Sequence, residues 1–432
     1  METYATALSY AIPGFVLLVI IEAIAAKLMG QKVNRAMDTI ASLSSGMTNT
    51  LKALLGLSVV IVSYGWMHTH FAIFDIKSSL WLYLIGFVGI DFASYWSHRF
   101  NHRINLFWNR HVIHHSSEEF NLSCALRQEI SAIFGVYFFL YIPLAIIGIP
   151  LKVIAILAPI HLFAQFWYHT RLIGRMGFLE HILMTPSHHR VHHAINDIYI
   201  DKNYSAIFIV WDKWFGTFQE ELEEEPCVYG TLKQANTWNP VLINYQHLWR
   251  LVQDAWRTNN WWDKLRIWFM PTGWRPEDVK EKFPIKIEGV HDRTKYYPVT
   301  SHFLMGWSWI QLVVNNVLMY FMLANFGTFE AVDIIWYSVF LFISIFAYTT
   351  LMDKHLMAIP AELIKLGIGI WIIYQTGGWY DLDSYVGGAS LVVLFYLVVS
   401  ALLTFYFLLM EKNDGEASAL QLSLEEHLLD QD

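Results

Sequence analysis

The sequence predicts an all-α, polytopic transmembrane helical bundle of about nine spans, and three observations predict it. Apolar residues make up 55% of the 432 and charged residues only 15%, a balance that does not suit a soluble chain. The apolar residues fall into runs of roughly 20, the length a helix needs to cross a hydrocarbon core. Lysine and arginine concentrate in alternate loops, as the positive-inside rule requires.

Taken in order, the first run covers residues 7–28. Its start, METYATALSY, lacks a basic n-region, so it reads as an anchor and not a cleavable signal. Lys27, Lys32 and Arg35 place the following loop on the cytoplasmic side and the N-terminus outside. A second run covers residues 47–67 and a third 79–96, interrupted by Asp91 and closed by Arg99, Arg103 and Arg110. Runs at 130–149 and 151–168, split by Pro150, read as a membrane hairpin whose second arm ends at His169, beside Arg171 and Arg175. Four more runs follow, at 302–326, 332–351, 357–379 and 386–410. This gives N-terminal membrane helices over 1–78, a histidine-rich core over 79–218, a polar segment over 219–300, C-terminal membrane helices over 301–411 and an acidic tail over 412–432.

Between the hairpin and the last four runs the chain is rich in tryptophan: Trp211, Trp214, Trp238, Trp249, Trp256, Trp261, Trp262, Trp268 and Trp274. Amphipathic helices on a lipid surface use tryptophan this way, and a soluble cap with tryptophan in its core would look the same. The net charge of −8 is densest at Glu220, Glu221, Glu223, Glu224 and Glu225, which reads as a solvated loop. No basic patch argues for nucleic acid. Cys124 and Cys227 form neither a disulfide framework nor a CxxC pair and read as free thiols in a reducing compartment.

The chemistry concentrates between His98 and His193, which hold 12 of the 19 histidines. Three clusters stand out: His98 and His102; His111, His114 and His115; His189, His192 and His193. Each contains a four-residue spacing, which puts two imidazoles on one face of a helix. One such pair would be weak evidence for a metal, but three clusters at the ends of apolar spans supply eight nitrogens, enough for two ions in a cap at the cytoplasmic mouth of the bundle. Imidazole-only sets suit iron, zinc, copper or nickel. HExxH is absent, and the one ExxH, Glu288 to His291, lies in a Pro/Gly-containing stretch. Asp91 lies seven residues before His98 and on the same face. It reads either as a carboxylate that orients a ligand histidine or as a partner for an arginine or hydroxyl that ties helices together.

At these clusters the chain resembles the fatty acid hydroxylase and sterol desaturase superfamily of integral-membrane, non-haem di-iron oxygenases. The resemblance rests on DFASYWSHRFNH, HVIHHSSEEFNLSCALRQ, HTRLIG, TPSHHRVHH and DKNYSAIFIVWDKWFGTF. With four further spans, it is nearest to the alkylglycerol monooxygenase branch. The resemblance implies that the eight clustered histidines are iron ligands, that His169 is a ninth ligand or supports one, and that His188 either joins them or faces away. His161, two turns before His169, reads as a packed core residue. The resemblance also implies dioxygen as a cosubstrate, a membrane lipid as substrate, and oxidation of the ether-linked carbon to release a fatty aldehyde and glycerol. Hydroxylation or desaturation of a fatty-acyl, sterol or carotenoid chain is the alternative with the same centre. Branch members usually carry a glutamate, associated with tetrahydrobiopterin use, where this chain has Arg103. No nicotinamide or haem site is visible, so electrons would come from a reduced pterin, a ferredoxin or a cytochrome b5-type partner. Glu118, Glu119, Asn121, Arg127 and Gln128 are expected near the site, contacting substrate or supporting ligands, or serving only as a polar loop and helix cap. A metal transporter is the rival class, but transport sites sit at the bilayer midplane between repeats, and no repeat is visible. The membrane is either a bacterial inner membrane or the endoplasmic reticulum.

Overall fold

The computed structural model describes residues 2–76, 79–298 and 300–411, and among them regular structure is helical, with isolated β-bridges and no sheet. The acidic tail expected from Glu416 lies outside the described residues.

Helix α1 (Glu2–Leu28) is apolar along its length and exposes Leu17, Ile20, Ile21 and Ile24, as a span bathed in lipid would. Helix α2 (Ala36–Leu54) is different. It buries Asp38, Ser42, Ser44, Ser45 and Thr48, and Asp38 pairs with Arg127 at 2.9 Å. The apolar run expected to cross at 47–67 therefore begins inside α2 and breaks after it. Gly56 takes φ +63°, a left-handed conformation that ends helical propagation. Val59 then bonds to Ile133 and Gly135 before a short helix, Tyr64–Phe71, restarts on the Ser63 cap.

Helix α3 (Leu80–Arg103) spans, starting on the Ser79 side-chain cap and ending where Ile104 turns extended. The expected hairpin after it is two short apolar pieces, Val136–Ile147 and helix α4 (Leu151–Phe163). At 13 residues α4 is too short to cross at 1.5 Å per residue. It packs against α3, where Gly86 lets Leu157 approach so closely that a Cβ would sit 3.1 Å from Leu157 Cδ1. Among the described residues six helices are long and apolar enough to span, against the nine expected: those within α1 and α3, then α7 (His302–Ala324), α8 (Ala331–Met352), α9 (Ala358–Thr376) and α10 (Ala389–Leu409). The two intervening helices are α5 (Pro186–His193) and α6 (Pro240–Arg257). Three apolar runs read as spans from hydropathy alone are broken by a left-handed glycine, by Pro150, or by the chain turning at Ala164.

The four C-terminal helices share one core with α1 and α2, built on Ala5, Ile40, Leu51, Met322, Phe340, Ile345 and Leu397. Lipid is as apolar as leucine, so close packing and interhelical polar contacts must hold such helices together. One buried polar layer crosses them. Lys365 Nζ lies 2.6 Å from Glu362 Oε1 and donates to Ser400 Oγ at 2.7 Å. Gln311 donates to Ser400 at 2.6 Å and accepts from Tyr396.

The tryptophan-rich segment is largely a surface. Trp214, Trp249, Trp256, Trp261 and Trp262 are exposed, while Trp238 is buried. The acidic run is more than a wet loop: Nε and Nη2, one edge of the Arg190 guanidinium, meet Glu221 at 2.8 and 2.7 Å, and Arg175 pairs with Glu220. Cys124 is buried, Cys227 half-buried, and neither is paired.

Candidate metal centre

Four segments converge to build the site, one of them the turn after α4 that carries His169. The last turns of α3 carry His98 and His102, with ring centroids 5.1 Å apart. The chain then folds back through the short helix Asn105–Trp108 and tight turns that present His111, His114 and His115. Helix α5 begins with Pro186 in its first turn, a position where the missing N–H costs nothing, and supplies His189, His192 and His193.

The histidines sort into two groups that do not follow the sequence clusters. His98, His102, His111, His115 and His192 form one, and His114, His169, His189 and His193 the other, with one nitrogen from each residue within 4.8 Å of the rest of its group. His114 and His115, adjacent in the chain, thus serve different groups. His169 completes the second, with its Nε2 2.9 Å from His189 Nε2 and 3.3 Å from His114 Nε2.

Backbone carbonyls fix the imidazoles from outside. His98 Nδ1 donates to Tyr204 O at 2.7 Å, His192 Nδ1 to Lys202 O at 2.9 Å, His114 Nδ1 to Arg127 O at 3.3 Å and His169 Nδ1 to Gln165 O at 3.0 Å. A carbonyl can only accept, so each of these rings carries its proton on Nδ1 and turns a bare Nε2 lone pair inward. His114 Nε2 and His169 Nε2, 3.3 Å apart, therefore cannot hydrogen-bond each other, and a cation between them would turn repulsion into attraction. In the other group the buried Nε2 atoms of His102, His115 and His192 have no partner. Burial, reinforced by the neighbouring imidazoles, pushes His111, His115, His189, His192 and His193 well below the usual histidine range, and burial takes His169 down to about 3. Neutral imidazoles with inward lone pairs are the form that binds a metal ion. The donor set fits two metal ions.

Asp91 touches none of these histidines. It sits seven residues, about 10 Å, below His98 along α3. There it accepts from His161 Nε2 at 2.7 Å, Ile207 N at 2.9 Å, Phe208 N at 3.1 Å and Trp211 Nε1 at 2.8 Å. Asp91 ties α3 to α4 and to the segment carrying Tyr204 and Lys202. His161 is buried, as expected for a core residue, and its Nδ1 accepts from Gln165, whose carbonyl holds His169.

The other candidates divide. His188 joins neither group and packs edge-on to Phe218. Glu118 accepts from Tyr296 N and Gln234, and Glu119 pairs with Arg171 at 2.6 Å and Lys295 at 2.5 Å. Asn121 donates to Val33 O, and Gln128 to Ala125 O. Arg127 spends its guanidinium on Asp38, Ser42 and Ser116 and reaches a histidine only through its carbonyl. Arg103 pairs with Asp201 at 2.6 Å, and the same carboxylate lies 4.0 Å from His102 Nδ1. An acid thus stands beside His102, supplied by a distant segment. Sequence reasoning missed Asp201, Lys202 and Tyr204 as supports. The one local signal was the DKNY stretch, where Asp201 and Asn203 adopt positive φ of 61° and 54°.

A fatty acid hydroxylase family model matches residues 83–217, which contain every histidine of both groups. The alkylglycerol monooxygenase of Danio rerio is 34% identical over 349 residues, 79% of this chain and 76% of that protein. This chain belongs to the alkylglycerol monooxygenase family. The human alkylglycerol monooxygenase is 40% identical over 268 residues, 62% of this chain, and the match spans 59% of the human protein's length. An ornithine lipid hydroxylase of Rhizobium tropici is 29% identical over 136 residues, 31% of this chain and 41% of that protein, so the more distant likeness covers a smaller part of both. No solved structure matches.

Proposed function

We propose that this chain is a membrane-bound, non-haem di-iron monooxygenase that oxidises the ether-linked carbon of alkylglycerols. The observation that carries the reading is the pair of histidine groups with inward lone pairs, in a chain of this family. His98, His102, His111, His115 and His192 would hold one iron, and His114, His169, His189 and His193 the other. Bound there, the irons supply dioxygen activation and removal of a hydrogen from a C–H bond. Two electrons and two protons from outside convert the second oxygen atom to water, and the oxygenated ether carbon is a hemiacetal that separates into fatty aldehyde and glycerol. The carbonyls at Tyr204, Lys202, Arg127 and Gln165 hold the imidazoles in the ligating tautomer. Phe120 and Tyr168, packed against His169 and His189, keep water out. Arg99, Arg103 and Arg110 support a site on the cytoplasmic side.

Asp201, beside His102 and Arg103, offers the carboxylate that Arg103 lacks, which keeps tetrahydrobiopterin in play as reductant, with a ferredoxin or cytochrome b5-type donor as the other sources. The test incubates membranes holding the full chain with 1-O-hexadecylglycerol, dioxygen and each reductant in turn, and reads hexadecanal. Aldehyde from the wild type and none from His192→Ala is the expected result. Bound iron with no aldehyde under any reductant would sink the ether-cleaving reading and leave hydroxylation of another lipid chain to be tried.

A further inference from the structure

We propose that a groove between α2, α6 and α8 receives the hydrocarbon chain of the lipid substrate, an assignment that rests on the function proposed above. The groove is open on one side, has a volume of about 360 Å³ and is lined by Leu55, Leu57, Val59, Ile130, Ile133 and Phe342, with Lys52 and Tyr245 at its polar edge. That volume falls in the roughly 300–1,000 Å³ range of small-molecule sites.

Three observations select a lipid chain as occupant. The first is depth. Phe342 lies midway along the 22 residues of α8, about 15 Å from either end at the helical rise, so the groove opens within the thickness of the bilayer. The second is continuity with the lipid-facing surface. Leu57, Val59 and Ile133 on the groove wall are 54%, 49% and 41% exposed, and Val60 and Ile61 extend the same apolar rim. Beside them α6 turns Leu242, Tyr245, Trp249, Val252 and Trp256 outward at three- and four-residue steps, an apolar stripe continuous with that rim. The third is the inner wall. Ile130 and Ile133 belong to it, and the segment that carries them is bonded to the histidine-bearing turn: Ser131 Oγ donates to Asn109 O at 2.9 Å, Arg110 Nη1 to Phe134 O at 2.8 Å and His114 Nδ1 to Arg127 O at 3.3 Å. One chain segment thus carries both groove-lining residues and a carbonyl that holds a histidine of the metal centre.

The lining also says what the ligand is not. Lys52 Nζ already donates to Ala132 O at 2.8 Å, so its charge is held against the wall and not extended into the groove. The chemistry that fits is an uncharged alkyl chain, with a small polar head directed toward the histidines.

The experiment uses the full, metal-loaded chain in phosphatidylcholine nanodiscs and a 1-O-alkylglycerol bearing a diazirine near the end of its chain. Adducts on residues 55–59, 130–133 and Phe342, displaced by excess 1-O-hexadecylglycerol, are expected. Ile133→Trp or Leu55→Trp should cut that labelling about tenfold with metal content unchanged, the loss of roughly two buried methylene contacts. Val60→Trp, on the outer rim, should leave it as it is. Adducts confined to outward faces such as Leu391, Val392 and Phe395 would overturn the proposal. So would groove adducts that excess alkylglycerol does not displace, the mark of a resident bilayer lipid. Aldehyde is read in the same samples. Displaceable groove labelling without aldehyde would remove the reaction assigned above while the groove keeps its ligand, so the two failures are told apart.

Discussion

Two of the buried polar assemblies in this molecule are built on opposite plans. In the C-terminal bundle Ser400, Gln311, Tyr396 and Lys365 face one another as donors to acceptors, and the otherwise unpartnered Glu362 Oε1 faces the Lys365 ammonium. Among the histidines, acceptors face acceptors: His114 and His169 point lone pairs at each other, and the Nε2 atoms of His102, His115 and His192 are left without partners. Buried polar groups are ordinarily satisfied, so lone pairs that face one another call for a cation, whereas the Glu362 carboxylate already has one in Lys365. Burial and polarity do not by themselves mark a site; the direction of the lone pairs does.

The strongest way to break the comparison is to remove one imidazole from each histidine group. His192→Ala should empty the first metal position and His189→Ala the second, each lowering bound metal from two equivalents toward one and abolishing turnover. Metal analysis on the purified variants reads this directly. Two equivalents retained in both would mean that the ε nitrogens are not the ligands.

The same operation on the C-terminal layer should have the opposite signature. Lys365→Met leaves Glu362 buried without its ion pair, which costs about 3–5 kcal/mol in stability, and the double variant with Glu362→Leu should recover most of it. Metal content of the folded fraction stays at the wild-type level in both. A single variant as stable as the wild type in thermal unfolding would show that the pair is not formed as described.

A smaller effect tests how the open assembly is held. Asp91 and His161 reach the histidines only through the chain segments they anchor, so Asp91→Asn should weaken metal binding by about 10–100-fold without removing a ligand. The metal-centred spectrum should shift while metal stoichiometry at saturation is kept. An unchanged spectrum and affinity would reduce Asp91 to a tie between helices.

These two assemblies also mark how far the sequence could be read. The HxxHH spacings announce clustered imidazoles because helical periodicity is local. The regrouping is not legible: the fold splits neighbours His114 and His115 between two groups, and His169 joins by a turn after α4. The supports are backbone carbonyls at Tyr204, Lys202 and Arg127, which no residue type announces. Asp91 was visible as a costly intramembrane carboxylate, but its partners His161 and Trp211 lie 70 and 120 residues away. Hydropathy found the six long helices and overcounted the spans, since an apolar run carries no record of where Gly56 turns left-handed or where a 13-residue helix stops. The C-terminal layer, with Lys365 and Glu362 one helical turn apart inside an apolar run, was present in the sequence and passed over.

Acid offers the mildest test, because it acts on the open assembly through its depressed histidines. For His169 the folded pKa is about 3 against an ordinary value of 6.5, so between these limits the unfolded chain binds a proton that the folded chain refuses. Stability is therefore complete above about pH 6.5 and declines as pH falls, by up to about 1.4 kcal/mol per pH unit for each such group. His111, His115, His189, His192 and His193 shift in the same direction and add to the slope. In the metal-free protein, lowering the pH from 7 to 5 should speed amide exchange in residues 109–116 and 186–193 well before it does so in α8 and α9. Bound metal should suppress that difference, since a ligated lone pair cannot take the proton until the metal leaves. Equal acceleration in both regions would mean that the histidines are stabilised by something other than a cation, and the contrast between the two assemblies would fall with it.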